Sequence, residues 1–313
     1  MNLPPPRPYR DERDLETMRA ILSAGRLANN GTSYIHPGDL NWWWYYRDPQ
    51  DAFHDCTFLW ESDGKTLGWV IAEGGNVDVY FRPELRGTPE AAEMVAWGER
   101  RMVETAAPGD RTIAFNGVHE RDRVLIGHLE ARGFVPKERH LVHHAMTLEN
   151  LPEPNPPAGY AVRGMAGEHE AASRARASRA AFQSEIPWKA YLERYVRFTR
   201  APVYDPELEV VAVDLRGEIG AFAICWVDPV TWTGLFEPVG THPDHQRQGL
   251  GRAVLLEGLR RMAARGMRTA EVSAYDDNAA ARGLYRSVGF RADGELLNYA
   301  RPLRGPSGNT GSG

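Results

Sequence analysis

The chain has little cysteine: Cys56 and Cys225 are the only two in 313 residues. Each sits inside an apolar, strand-like run, one in each half. They read as buried reduced thiols, with a catalytic or redox thiol as the alternative, and no disulfide framework is possible. Long hydrophobic runs are missing as well. No apolar stretch approaches the roughly 18 residues that a membrane-crossing helix needs. The opening Met1-Asn2-Leu3-Pro4-Pro5-Pro6-Arg7 lacks the apolar centre of a signal peptide. Positive charge is not in excess either: 37 basic against 42 acidic residues leave a formal charge of −5. That balance argues against nucleic acid, and so against a tandem aminoacyl transferase that uses charged tRNA. The expectation is a globular protein with the cytoplasm as its default location, partnered by neither membrane nor nucleic acid.

What is present divides in two. Leu151-Pro152-Glu153-Pro154-Asn155-Pro156-Pro157-Ala158-Gly159 carries four prolines, which forbid a helix and favour an extended linker. On either side the same order of elements recurs. An extended piece and an amphipathic helix (about Glu12 to Leu27; Glu168 to Phe182) lead into paired strands. A Pro-containing turn, a long helix, a strand, a short helix and a Gly-Phe pair follow, at Gly133-Phe134 and Gly289-Phe290. Such repetition predicts a duplicated domain, 1–150 and 160–303, with a disordered tail over 304–313.

The second half is the more legible. Leu208 to Val213 and Ile219 to Val227 are rich in branched and aromatic residues and read as strands around an Arg216-Gly217-Glu218 turn. Trp232 to Thr241 and Thr269 to Tyr275 read as two more. Between them, about Gly249 to Arg265, apolar residues recur at helical spacing. Strand, helix, adjacent strand is a βα crossover on a mixed sheet.

At the strand-to-helix junction stands Gln246-Arg247-Gln248-Gly249-Leu250-Gly251. Two glycines let backbone approach a ligand without a Cβ between them. The first turn of the helix offers free N–H groups and the positive end of the dipole. Arg247 and Arg252 add charge. This is an anion site by construction, against the plain alternative of a tight loop that starts a helix. Pro238 removes a ladder donor from its strand and marks a bulge or an edge.

The run Gly240 to Gly251, together with Asn278-Ala279-Ala280-Ala281-Arg282-Gly283-Leu284-Tyr285-Arg286-Ser287-Val288-Gly289-Phe290, resembles the two ordered acetyl-CoA motifs of the GNAT acetyltransferase superfamily. The resemblance is strong over Tyr160 to Leu303 and holds in outline for the first half. It implies an α/β protein of two tandem GNAT-like domains, each a twisted, mostly antiparallel sheet flanked by helices. It also implies acetyl-CoA as acyl donor and a small-molecule primary amine as acceptor. The pyrophosphate would be held by Gln246, Arg247, Gln248, Gly249, Leu250, Gly251 and Arg252, and the pantetheine arm would lie along Val239 to Thr241. The Val239 N–H is a candidate donor to the thioester oxygen. Glu237 would be the general base, with a solvated or salt-bridged strand carboxylate as the alternative. Tyr285 would be the general acid for the departing thiolate, with a core tyrosine as the alternative. Asn278 is equally a helix cap or a cofactor contact. The tandem layout is also similar to that of the mycothiol synthases, which acetylate the cysteinyl amine of a sugar conjugate. A non-catalytic acyl-CoA sensor is the competing class, and a homodimer is compatible with the sequence.

The first half has lost the pattern. Aligned on Pro83 and Pro243, Val77 stands for Glu237, Arg86 for Gln246, Pro89 for Gly249 and Ala91 for Gly251. Pro89 has no N–H, and Glu90 and Glu93 place negative charge where a phosphate would sit. Aligned on the Gly-Phe pairs, Leu129 replaces Tyr285 and Asp122 replaces Asn278. The expectation is one cofactor site, in the second half. Asn41-Trp42-Trp43-Trp44-Tyr45-Tyr46 reads as core packing of a short helix, or else as a wall of the acceptor pocket or an interdomain face. Arg174, Arg176 and Arg179 read as a solvated helix face, with a contact to an acceptor carboxylate as the alternative. His140, His143 and His144 lack a completing ligand set, so no metal is expected.

Overall fold

The computed structural model describes residues 3–46, 52–107 and 109–303. The tail at 304–313 lies outside them. In chain order the first half contains β1 (Arg7–Pro8), α1 (Glu12–Ala28), α2 (Pro37–Tyr46), α3 (Ala52–Cys56), β2 (Thr57–Ser62), β3 (Lys65–Glu73) and β4 (Asn76–Phe81). It continues with α4 (Pro89–Thr105), β5 (Thr112–His119), α5 (Arg123–Glu130), β6 (Val135–Pro136) and β7 (Leu141–Thr147). The second half contains β8 (Tyr160–Gly164), α6 (Ala171–Ala181), α7 (Trp188–Phe198), β9 (Glu209–Asp214), β10 (Ile219–Asp228) and β11 (Thr233–Thr241). Then come α8 (Leu250–Ala264), β12 (Thr269–Tyr275), α9 (Ala279–Val288) and β13 (Arg291–Pro302).

The compact units are not the linear halves expected from the sequence. Unit 1 is Met1–Tyr34, Asp51–Leu141 and Gly294–Gly313; unit 2 is Ile35–Gln50 and Val142–Asp293. Each contains an element encoded in the other half. Unit 1 runs β1-β2-β3-β4-β5-β13, with β6 also on β13. Tyr299 of β13 is 3% exposed in a core with Phe115, Phe134 and Leu129. Unit 2 runs β7-β12-β11-β10-β9-β8 and includes α2, which packs on α7, β10 and β11. Burial accompanies the exchange: Tyr299 of β13 joins the core of unit 1, and Met146 of β7 packs against that of unit 2.

In unit 2 the face of β10 and β11 bearing Ala221, Ala223, Cys225 and Phe236 packs on Val254, Leu255, Leu259 and Met262 of α8. Burial pushes the Cys225 thiol far up, so it is an inert core residue. The opposite face carries Phe222, against Met165 and Ala177. The helix expected from Glu168 starts as a 3₁₀ turn, Glu168–Glu170, and becomes α-helical at Ala171. Its arginines do not form one solvated face. Arg174 is 1% exposed, lies 2.7 Å from the buried Glu209 carboxylate and stacks over Phe222. The same carboxylate accepts the hydroxyls of Tyr195 and Tyr204 at 2.9 and 2.6 Å. A buried guanidinium needs such a partner.

Candidate active site

Two local features open the site. The first is a bulge in β11. Ala223 of β10 opposes Val239 while Cys225 opposes Phe236, so three steps on β11 meet two on β10. The additional residue falls at Glu237-Pro238, whose peptide is cis. Proline has no N–H for the ladder, so the interruption belongs where the sequence places it. The second is a splay. β11 and β12 pair in parallel at Thr233, Gly234 and Leu235, and no further pairing follows. From Phe236 to Thr241 the β12-facing edge of β11 is open, and Val239 and Thr241 lie on that stretch.

Glu237 sits at the bulge, half-buried, with no ionic or hydrogen-bonding partner for its carboxylate among the described residues. Burial alone pushes its pKa up to about 7. Its main chain is held: Trp226 Nε1 donates to the Glu237 carbonyl oxygen at 2.7 Å. Tyr285, on α9, is 5% exposed. Burial pushes its phenol well above the usual tyrosine range, and the Glu237 charge pushes it the same way. The two groups therefore feel each other. At neutral pH the carboxyl titrates and the phenol keeps its proton, a separation that suits one as base and the other as acid.

The glycine turn follows β11. After the 3₁₀ turn Pro243–His245, Arg247 and Gly249 both adopt left-handed backbone, with φ of +60° and +84°. Gly249 is the N-cap of α8 and supplies no side-chain cap. The first helical bond is Ala253 N–H to the Gly249 carbonyl, at 3.1 Å. Gln246 N–H still bonds the Pro243 carbonyl at 3.3 Å, but among the described residues no chain acceptor is found for the N–H groups of residues 247–252, as an anion site requires. The two glycines serve different ends in the chain itself. Gly249 is demanded by its φ. Gly251 is demanded by packing, because a Cβ there would lie 3.0 Å from Leu284 and 3.4 Å from Thr241. Gln246, Arg247 and Gln248 are exposed; Gln246 Nε2 reaches the Thr241 carbonyl at 3.4 Å and Arg252 Nε the Ser287 carbonyl at 3.4 Å. Asn278 caps α9: its Oδ1 accepts the Ala281 N–H at 3.0 Å.

Unit 1 repeats the splay without the rest. β4 pairs with β5 only at Asn76 and Val77, yet its ladder with β3 is continuous, with no bulge. Gly87, at φ +78°, takes the position of Arg247. The next helix is then closed: Thr88 caps the Ala91 N–H and Pro89 occupies the first turn. Arg86, in the place of Gln246, is ion-paired to Asp122, in the place of Asn278, and the Asp122 side chain is 1% exposed.

The aromatic run forms the C-terminal part of α2. Trp42 stacks on Tyr46 at 3.8 Å, both meet Phe198 edge-on, and the Arg194 guanidinium lies 4.3 Å over the Tyr46 ring. Sequence reasoning missed the approach of His143 Nε2 to the Glu271 carboxylate of β12 at 3.0 Å, and the contact of His144 with Tyr285. Both need β7 beside β12, a pairing between sequence halves that no local pattern announces.

Comparison with known proteins agrees with this geometry. Residues 174–290 match the model of the Acetyltransferase (GNAT) family. A mycothiol acetyltransferase from Segniliparus rotundus is 26% identical over 258 residues, covering 78% of this chain and 94% of the relative. A tandem GNAT protein from the clavulanic acid biosynthesis pathway superposes with a TM-score of 0.69 at 15% identity, over 97% of this chain and 98% of that one. A GCN5-related N-acetyltransferase from Sphaerobacter thermophilus gives 0.64 at 21% identity, over 97% and 98%. The tandem fold and the enzyme class expected from the sequence both stand, as does acetyl-CoA, the acyl donor of this family.

Proposed function

With residues 174–290 a GNAT acetyltransferase domain, we propose that unit 2 transfers the acetyl group of acetyl-CoA to a primary amine of a small molecule by direct attack on the thioester. The observation that carries this reading is the separation of two neighbouring titrations: Glu237 at about 7 and Tyr285 far above it.

In the proposed reaction Glu237 takes a proton from the acceptor ammonium, directly or through water. The neutral nitrogen attacks the thioester carbon, a C–N bond forms, and the carbonyl electrons move to oxygen. The Val239 N–H, on the open stretch of β11, donates to that oxygen. The tetrahedral centre collapses, the C–S bond breaks, Tyr285 gives its proton to the sulfur, and the nitrogen loses its second proton, through water, to the Tyr285 phenolate. Burial raises a departing thiolate in the same direction as it raises the phenol, which lessens the uphill cost of the transfer. The pyrophosphate rests on the N–H groups between Arg247 and Arg252, with the Arg247 and Arg252 side chains adding charge. Gln246 and Gln248 border the same turn. Asn278, while capping α9, keeps its amide N–H groups for the cofactor. Thr241 borders the pantetheine arm.

We propose further that unit 1 binds no acetyl-CoA. The closed helix start at Thr88-Pro89 and the Arg86–Asp122 ion pair fill what the turn leaves open in unit 2. The name and coverage of the Segniliparus relative favour one specific acceptor, the cysteinyl amine of a sugar conjugate. The test is thiol release from acetyl-CoA against a panel of amines that includes it. Turnover that falls with E237Q and Y285F supports the enzyme reading. Tight acetyl-CoA binding without turnover on any amine would replace it with a sensor.

A further inference from the structure

The histidines of β7 have no part in that reaction. β7 lies before the proline-rich linker, yet it belongs to unit 2 from Val142 onward and runs beside β12. It is anchored along its length. His143 Nε2 lies 3.0 Å from the Glu271 carboxylate. Leu148, just beyond the strand, donates its N–H to the Arg268 carbonyl at 2.8 Å. Met146 covers Gly289, the left-handed C-cap of α9, where a Cβ would come within 3.2 Å of the Met146 methyl.

His143 and His144 point to opposite faces of the strand. His144 is 2% exposed and meets the Tyr285 ring edge to face, with centroids 5.7 Å apart and planes at 70°. Its Nδ1 lies 3.0 Å from the Val142 carbonyl oxygen. A carbonyl only accepts, so this assigns the proton to Nδ1 and leaves Nε2 its lone pair. Burial holds the imidazole below the usual histidine range, and Arg282, His143 and Arg286 act in the same direction. A neutral ring whose one proton is committed to its own strand has none to hand on. His144 therefore offers Tyr285 no proton of its own.

What remains is orientation. Tyr285 also meets Phe290, with centroids 6.1 Å apart and planes at 63°. Two rings, one supplied from each half of the sequence, thus contact the Tyr285 ring. A tyrosine turns about two side-chain torsions, and ring contacts of this kind restrict that freedom. We infer that His144 is a positioning residue for Tyr285, holding the phenol at the angle from which its O–H meets the departing sulfur. The inference rests on the reading of Tyr285 as the acid.

The test uses the full chain labelled with 13C at the tyrosine ring carbons, with Y285F identifying the Tyr285 signal. In H144A that signal is expected to shift and to sharpen as the ring flips freely; H144F, which restores an aromatic edge, should return it. With the fastest amine of the panel, H144A should lower kcat about 5- to 10-fold at an unchanged KM for acetyl-CoA. In a Y285F background the same substitution should cost nothing further. An unchanged Tyr285 signal in H144A overturns the inference, and so does an equal kcat loss in both backgrounds. Full kcat in Y285F itself would remove the acid role of Tyr285, while the ring signal would still report whether His144 holds it.

Discussion

Trp226 donates its indole N–H to the main-chain oxygen of Glu237 at 2.7 Å, across the bulge that separates β10 from β11. The carboxylate is thus carried on backbone fixed from the neighbouring strand. A base that must meet an amine within a few tenths of an ångström gains from such fixation.

Replacing that donor should loosen the base. W226F is expected to destabilise unit 2 by about 1–2 kcal/mol, from the lost hydrogen bond and the carbonyl left behind. The kcat should fall several-fold while acetyl-CoA binding holds. Urea unfolding and steady-state kinetics on one preparation check both.

The Glu237 titration should be visible in rate and in stability, with opposite signs. Activity needs the ionised form, so kcat/KM should rise with pH to a plateau with an apparent pKa near 7. Folding favours the neutral form, because the folded pKa lies above the unfolded value of 4.5. Stability should therefore drain away as pH rises from about 4.5 to about 7, by at most about 3 kcal/mol. E237Q should abolish the activity limb and be more stable than the parent at pH 8, but not at pH 4. Thermal unfolding at the two pH values decides the matter.

Gly249 and Gly251 should fail differently. G249A places a Cβ on left-handed backbone that is otherwise open, at a cost of about 1–2 kcal/mol and a loss of acetyl-CoA affinity. G251A drives a Cβ toward Leu284 and Thr241, so its cost should fall on the packing of α8 against α9. Titration calorimetry and unfolding of both variants separate ligand affinity from stability.

Acetyl-CoA should bind at one equivalent per chain. R86A should not create a second site, since Thr88 and Pro89 still close the helix start. It should instead destabilise unit 1 by roughly 3–5 kcal/mol, by leaving Asp122 buried and unpaired. A stoichiometry of two by calorimetry would overturn the assignment of unit 1.

The parts of this molecule legible in sequence are those set by near neighbours. The bulge is announced by Pro238, the helix start by Gly249 and Gly251, and the cap of α9 by Asn278. The closure of the first half is announced by Pro89. What was not legible depends on distant chain. Arg174 looks like one of three arginines on a solvated helix until Glu209, 35 positions on, is found beneath it. His144 looks like one of a loose group until β7 is set against β12. Charge and periodicity describe an element's faces; they do not say which element will cover them.

Exchange of the last strands also sets an order of events during synthesis. Domains on a growing chain commonly complete in sequence, the N-terminal one first. Here β5 has β4 on one side but lacks its second neighbour until β13, Arg291–Pro302, has been made. Unit 2 has β7 in hand before its own strands appear. The unit begun first is thus the one finished last, and a ribosome that stalls beyond Gly289 would release a chain holding every strand of unit 2 while its opening unit is still short of one.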